Sequence, residues 1–158
     1  MQEIKIKTII IGLGNPIVRD DGVGIKVSRL LKERITDDSI TIKEIYVGGL
    51  ALMEAIVGYD RALIIDAIQT GAPIGSSFEL SLSSIRQTRN SCCSHNTNLE
   101  SALEIGRLAG LVLPSDIKFW AIEAKDVTTF SEDLSHELEI ELPDIVDRII
   151  SYLKIGEI

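Results

Sequence analysis

The sequence predicts an α/β fold, a three-layer sandwich in which a mostly parallel, twisted sheet of about five strands is flanked by helices. Nearly continuous apolar runs, typical of buried parallel strands, begin at Ile4, Arg61 and Ile117. Segments with apolar residues at helical spacing separate these runs. The 158 residues contain no linker and no internal repeat, so we expect a single domain over residues 1–158.

Five strands are expected. The first is the apolar run over 4–11, and the third is the apolar run over 61–68. The second, over 40–47, alternates between two faces and ends at a pair of glycines. The fourth, over 76–82, alternates cleanly and is interpreted as an edge strand, and the fifth spans 117–122.

Four helices are expected between and after these strands. Apolar residues at helical spacing indicate the first over 23–31, and the second, over 50–57, lies between two glycines. The third begins after a capping-box spacing at 97–100. The last is an apolar stripe over 138–153, in which Pro143 either kinks the helix or starts its longer half.

Charge and composition exclude several classes of protein. The net charge of −8 argues against binding of nucleic acid, which requires a basic surface. No apolar run approaches the length of about 18 residues that crosses a membrane, and the N-terminus lacks a signal-peptide pattern. We therefore expect a cytoplasmic protein that contacts neither nucleic acid nor membrane. The eight acidic residues over 126–147, with no Lys or Arg among them, are interpreted as a solvated face.

Two cysteines and one of the histidines have plain interpretations. Cys92 and Cys93 are adjacent, a poor arrangement for a structural disulfide, which agrees with a reducing compartment. They are read as bystander thiols rather than as metal ligands or nucleophiles. His136 lies in the acidic stretch and is expected to be solvated.

A glycine-rich turn between the first strand and the first helix carries two adjacent carboxylates, Asp20 and Asp21. Such turns form ligand sites in open α/β proteins. An acidic lining is unsuited to phosphate, Ile17 stands where a dinucleotide fingerprint has glycine, and a P-loop lysine is lacking. We interpret the turn as a site for a metal or another cation.

Three side chains are predicted to meet there: Asp21, Asp66 and His95. Asp66 follows the apolar core of the third strand, and His95 lies before the third helix. Because parallel strands end at one edge of a sheet, these residues are expected at the same edge. Two carboxylates and one imidazole suit nickel, zinc, iron or manganese and leave coordination positions open.

Each of these residues also has a purely structural interpretation. One of the pair Asp20 and Asp21 is expected to be the N-cap of the helix at Val23. Asp66 is alternatively a cap of a short turn, and His95 a residue at a helix start.

Four blocks of sequence, in order, resemble those of one family. They are Gly12-x-Gly14-Asn15 with Asp20-Asp21-Gly22-x-Gly24, Asp66-Ala67, Ser94-His95, and Leu134-Ser135. The chain resembles the hydrogenase maturation endopeptidases, which trim the C-terminal tail of the large subunit of nickel–iron hydrogenases. It departs from the family at 48–52, where a Gly-Thr-x-Gly-like turn is more usual, and at Asp21, which is glutamate in some members.

The resemblance implies an endopeptidase that recognises nickel already inserted in the large-subunit precursor, through Asp21, Asp66 and His95. The nickel would arrive with the substrate, and another divalent metal would substitute for it. The metal would orient the scissile bond and polarise its carbonyl or activate water. One of the carboxylates or His95 would act as general base. The resemblance also implies a monomer.

Two alternative functions remain open at this point. In the first, Asp21, Asp66 and His95 only dock a non-catalytic assembly factor onto the metal centre of the precursor. The second is a peptidyl-tRNA hydrolase, whose opening sequence resembles residues 10–16. That family continues with Thr-Arg-His-Asn, which bears its catalytic histidine, whereas this chain has an acidic pair at the corresponding place.

Overall fold

A single five-stranded sheet forms the centre of the computed structural model, which describes residues 2–87 and 99–155. The strands lie in the order β2-β1-β3-β5-β4, and only β4 is antiparallel to its neighbour. The expected edge strand is therefore confirmed. The bounds are β1 (Thr8–Leu13), β2 (Ile40–Ile45), β3 (Arg61–Ile68), β4 (Ser77–Ser81) and β5 (Asp116–Glu123).

All four expected helices are present among the described residues. The helices are α1 (Val23–Arg34), α2 (Leu50–Ile56), α3 (Leu82–Gln87), α4 (Leu99–Leu108) and α5 (His136–Ile155), with a 3-10 helix at Arg19–Gly22. The short α3 and the 3-10 helix were not predicted. Helix α5 begins at His136 and runs through Pro143, so the proline does not start it.

The helices cover both faces of the sheet, which confirms the three-layer sandwich. Helices α1 and α5 pack on one face around Ile10 and Trp120, and α2 and α4 pack on the other around Ile11 and Phe119. The predicted apolar stripes of α4 and α5 are buried against these faces. No helix in the described part of the chain has the length and apolarity needed to span a membrane.

The first strand begins later than its apolar composition suggests. Pairing starts at Thr8, which is opposite Ile40 on β2 and Arg61 on β3. Ile4 and Ile6 precede the strand and are exposed, because neither neighbouring strand extends to meet them. Strands β1, β2, β3 and β5 are parallel and end at one edge of the sheet, which we call the carboxyl edge.

Candidate metal site at the carboxyl edge

The turn from β1 to α1 is packed against itself through backbone contacts. A Cβ atom at Gly14, where φ is +147°, would lie 1.9 Å from the carbonyl oxygen of Asp21. A Cβ atom at Gly22 would lie 2.9 Å from the Cα of Pro16. The backbone amide of Asn15 donates a hydrogen bond to Oδ2 of Asp21 at 3.0 Å. These glycines therefore allow a compact turn in which the Asp21 carboxylate lies close to the backbone of Asn15.

The two adjacent carboxylates of this turn lie in different environments. Asp20 is fully buried, whereas Asp21 is half-buried. The N-cap of α1 is Gly22, and within the described part of the chain no side chain caps that helix. The expectation that one of the two aspartates is the N-cap is therefore wrong, since Asp20 faces inward to a different partner.

That partner is the loop between β5 and α5. Oδ2 of Asp20 accepts hydrogen bonds from the amides of Lys125 at 2.9 Å and Asp126 at 3.0 Å. Ser135 donates from its amide to Oδ1 and from its hydroxyl to Oδ2, both at 2.7 Å. Asp20 thus joins the turn after β1 to the loop after β5, a contact between residues 115 positions apart.

Asp66 lies at the carboxyl edge on the neighbouring strand. It is 4% exposed and sits within β3, which continues to Ile68, so it does not cap a turn. Oδ1 of Asp66 accepts a hydrogen bond from the amide of Ala67 at 2.8 Å. The 3-10 helix that carries Asp21 contacts β3. The turn that carries Asp21 and the end of β3 that carries Asp66 are therefore neighbours at the carboxyl edge.

The remaining member of the predicted set lies outside the described residues. His95, together with Cys92 and Cys93, falls within 88–98, so the three-residue site stays a prediction. Within the described ranges, no cluster of three or more His, Cys, Asp or Glu side chains is arranged to hold a metal ion. His136 begins α5 and is exposed, as expected.

Sequence reasoning missed a third buried carboxylate near this edge, Glu123 at the end of β5, which is 2% exposed. It accepts hydrogen bonds from the amide and hydroxyl of Thr70, at 2.8 and 2.7 Å, and from the amide of Gly71 at 3.0 Å. Glu123 therefore holds the connection between β3 and β4. The signal that identified Asp66, an acid after an apolar strand, was equally available here.

The loop after β5 is internally hydrogen bonded beside the β1–α1 turn. Asp126 accepts hydrogen bonds from the amides of Thr128 and Thr129, and the hydroxyls of both residues also donate to it. These donors hold the pKa of the Asp126 carboxyl well below its usual range. The amide of Arg19 donates to the carbonyl of Ser131 at 2.9 Å, which ties the loop to the turn.

Comparison with known proteins decides the family. A family model for the hydrogenase maturation protease HycI matches residues 25–152, which is most of the chain. The chain belongs to the hydrogenase maturation protease family. The match begins just after the turn that bears Asp20 and Asp21, and it includes Asp66, His95 and Ser135.

Solved structures of hydrogenase maturation proteases share this fold. The hydrogenase maturating endopeptidase HybD from E. coli aligns with a TM-score of 0.80 at 18% identity, over 96% of this chain and 94% of that one. The NiFe hydrogenase maturation protease HybD from Thermococcus kodakarensis aligns with a TM-score of 0.73 at 23% identity, over 93% and 99%. A hydrogenase 2 maturation peptidase from a Thaumarchaeota archaeon aligns with a TM-score of 0.65 at 25% identity, over 93% of this chain and 97% of that one.

No curated protein sequence matches this chain significantly. Membership of the family nevertheless identifies the chain as a peptidase of hydrogenase maturation. The fold of the family is the α/β sandwich expected from the sequence.

Proposed function

We propose that this protein is an endopeptidase that removes the C-terminal extension of a nickel–iron hydrogenase large-subunit precursor once nickel has been inserted. The observation that carries the proposal is that the 3-10 helix bearing Asp21 contacts β3, the strand that bears Asp66, in a hydrogenase maturation protease fold. His95 completes the proposed set. The nickel belongs to the substrate, and another divalent metal bound in the precursor would serve in its place.

The chemistry of the two carboxylates supports this assignment. One oxygen of each carboxylate accepts a hydrogen bond from a backbone amide, which orients the group. The amide of Asn15 donates to Asp21, and the amide of Ala67 donates to Asp66. Two carboxylates compensate the charge of a divalent ion, and an imidazole adds a nitrogen donor that nickel favours. The precursor-bound metal would then polarise the scissile carbonyl or activate water, with one of the three side chains as general base.

Apolar side chains beside the turn provide a surface for a polypeptide substrate. Phe130 is 82% exposed and Ile17 is 49% exposed. Their backbones adjoin, since the amide of Ser131 donates to the carbonyl of Ile17 at 3.0 Å. Exposed apolar residues on a loop that is held by hydrogen bonds bind a partner at little cost in conformational entropy. We propose that these two residues contact the precursor next to the cleavage site.

We also propose an oligomeric state and a compartment for this protein. The protein acts as a monomer that engages its precursor transiently in the cytoplasm. The adjacent cysteines Cys92 and Cys93, which are unsuited to a structural disulfide, support a reducing compartment. Sedimentation of the purified protein at a mass above 17.3 kDa would contradict the monomer.

The test is precursor processing by site variants. Asp21→Asn, Asp66→Asn and His95→Ala are each expected to slow release of the C-terminal peptide by about 100-fold or more while leaving the circular dichroism spectrum unchanged. Asp116→Asn, at the start of β5 and the opposite edge of the sheet, is the matched control and should process normally. Normal processing by all three site variants would contradict the proposal. Binding of the precursor without cleavage by the wild type would support the docking factor instead.

A further inference from the structure

The carboxylate of Asp20 has no part in the proposed chemistry, yet it is fully buried. Burial of a carboxylate is costly unless hydrogen bonds replace its lost hydration. Four donors do so here, namely the amides of Lys125, Asp126 and Ser135 and the hydroxyl of Ser135. Because three of the four are backbone amides, the carboxylate constrains the path of the main chain after β5 as well as its own turn.

The backbone around Asp20 is also hydrogen bonded to the loop between β5 and α5. The amide of Asp20 donates to the carbonyl of Asp126 at 3.0 Å, so side chain and main chain bind the same loop. The preceding residue, Arg19, has a φ of +37°, a left-handed conformation that is uncommon for a residue with a side chain. Such a conformation persists where surrounding contacts enforce it. The contacts here come from Asp126 and Ser131 on the β5–α5 loop.

These constraints act directly on Asp21, the next residue. Its amide donates to the carbonyl of Val18 at 3.0 Å, and its carboxylate accepts from Asn15. We propose that Asp20 is a positioning residue for the processing reaction: together with Ser135, it holds the main chain that presents Asp21 to the metal. This inference rests on the proposed function. It assigns different tasks to two adjacent aspartates, the first anchoring the turn and the second meeting the substrate.

Serine substitutions test the inference without removing the buried charge. Ser135→Ala deletes the hydroxyl donor to Asp20 but keeps the amide donor, so the variant is expected to fold. Ser28→Ala is the matched control, because Ser28 is also buried and its hydroxyl donates to the carbonyl of Ile25 within α1 at 2.7 Å. Asp20→Asn is the stronger variant, since it presents an amide NH2 to backbone donors. If Asp20→Asn does not fold, Ser135→Ala decides.

Two readouts separate positioning from stability. The first is hydrogen exchange at the Asn15 amide, which reports the position of the Asp21 carboxylate and needs no substrate. It is expected to become about tenfold faster in Ser135→Ala than in Ser28→Ala. The second is precursor processing, in which Ser135→Ala should lower kcat by about tenfold and leave KM within about twofold.

The outcomes distinguish the two proposals. Faster exchange at Asn15 and a lower kcat in Ser135→Ala alone would support the positioning role. Equal exchange and equal kcat in the two serine variants would overturn it. If the wild type cleaves no precursor, the proposed function fails, and the exchange comparison still decides whether Asp20 and Ser135 position Asp21.

Discussion

Gly24 lies directly against the backbone of Ile65, so closely that a Cβ atom at Gly24 would be 2.3 Å from the Ile65 carbonyl oxygen. The same Cβ would lie 2.6 Å from the carbonyl oxygen of Leu13. Helix α1 therefore sits on β1 and β3 at the point where Asp66 follows Ile65. This contact brings the turn that carries Asp21 next to the strand that carries Asp66.

Gly24→Ala is expected to destabilise the protein by about 2–3 kcal/mol, because the new methyl group meets backbone atoms that cannot move aside. The matched control is Gly106→Ala in α4. There the added Cβ would meet the ends of flexible side chains, Met53 Sδ at 3.0 Å and Leu113 Cδ1 at 3.2 Å. Ala is the better helix former at both positions, by about 1 kcal/mol at most, so a larger loss in Gly24→Ala reports the clash. Free energies of unfolding in urea measure it, and equal values for the two variants would contradict the close packing.

Phe130→Ala is expected to raise KM for the precursor by about tenfold with little change in stability, because the exposed ring is proposed to contact the substrate and does not pack in the core. Leu108→Ala is the matched control. Leu108 is also 82% exposed, but it ends α4, which leads to the opposite edge of the sheet. Initial rates over a range of precursor concentrations measure the effect. An unchanged KM in Phe130→Ala, or the same rise in Leu108→Ala, would show that the loop does not bind the precursor.

The hydrogen-bonded Asp126 carboxylate predicts how stability depends on pH. Because hydrogen bonds from Thr128 and Thr129 lower the pKa of this group in the folded state, its contribution is present above the ordinary pKa of about 4. The contribution is lost as the pH falls through the lower folded-state value. Asp126→Asn should therefore lower Tm at pH 7, and the difference from wild type should shrink below about pH 4. The control Asp133→Asn, at an exposed position of the same loop, should change Tm little at any pH. A difference that grows towards acid pH would contradict this sign.

Much of the fold follows from local patterns in the sequence. Apolar runs separated by helical stripes are sufficient to predict a parallel sheet covered on both faces, and alternation over 76–82 identifies the edge strand. The 3-10 helix at Arg19–Gly22 and α3 could not be predicted, because each is too short to show a helical periodicity in the sequence. The start of β1 was misplaced, since strand bounds depend on where neighbouring strands begin.

Residues of the candidate site could be predicted only where the order and direction of the strands determine their position. Asp21 lies after β1 and Asp66 lies near the carboxyl end of the parallel strand β3, so placement at one edge could be deduced. The difference between Asp20 and Asp21 could not, because it depends on Ser135, which is distant in sequence and approaches only in the folded chain. Glu123 was overlooked because its partners in the β3–β4 connection are equally nonlocal. The role of His95 stays a prediction.

The proposed dependence of cleavage on nickel carried by the substrate is measured by the intact mass of the precursor. A co-encoded hydrogenase large-subunit precursor is prepared in nickel-loaded and nickel-free forms. Each form is incubated with this protein, and its intact mass is then measured by mass spectrometry. Loss of a C-terminal peptide is expected from the nickel-loaded form only. Equal cleavage of both forms, or an unchanged mass of a verified loaded precursor, would contradict it.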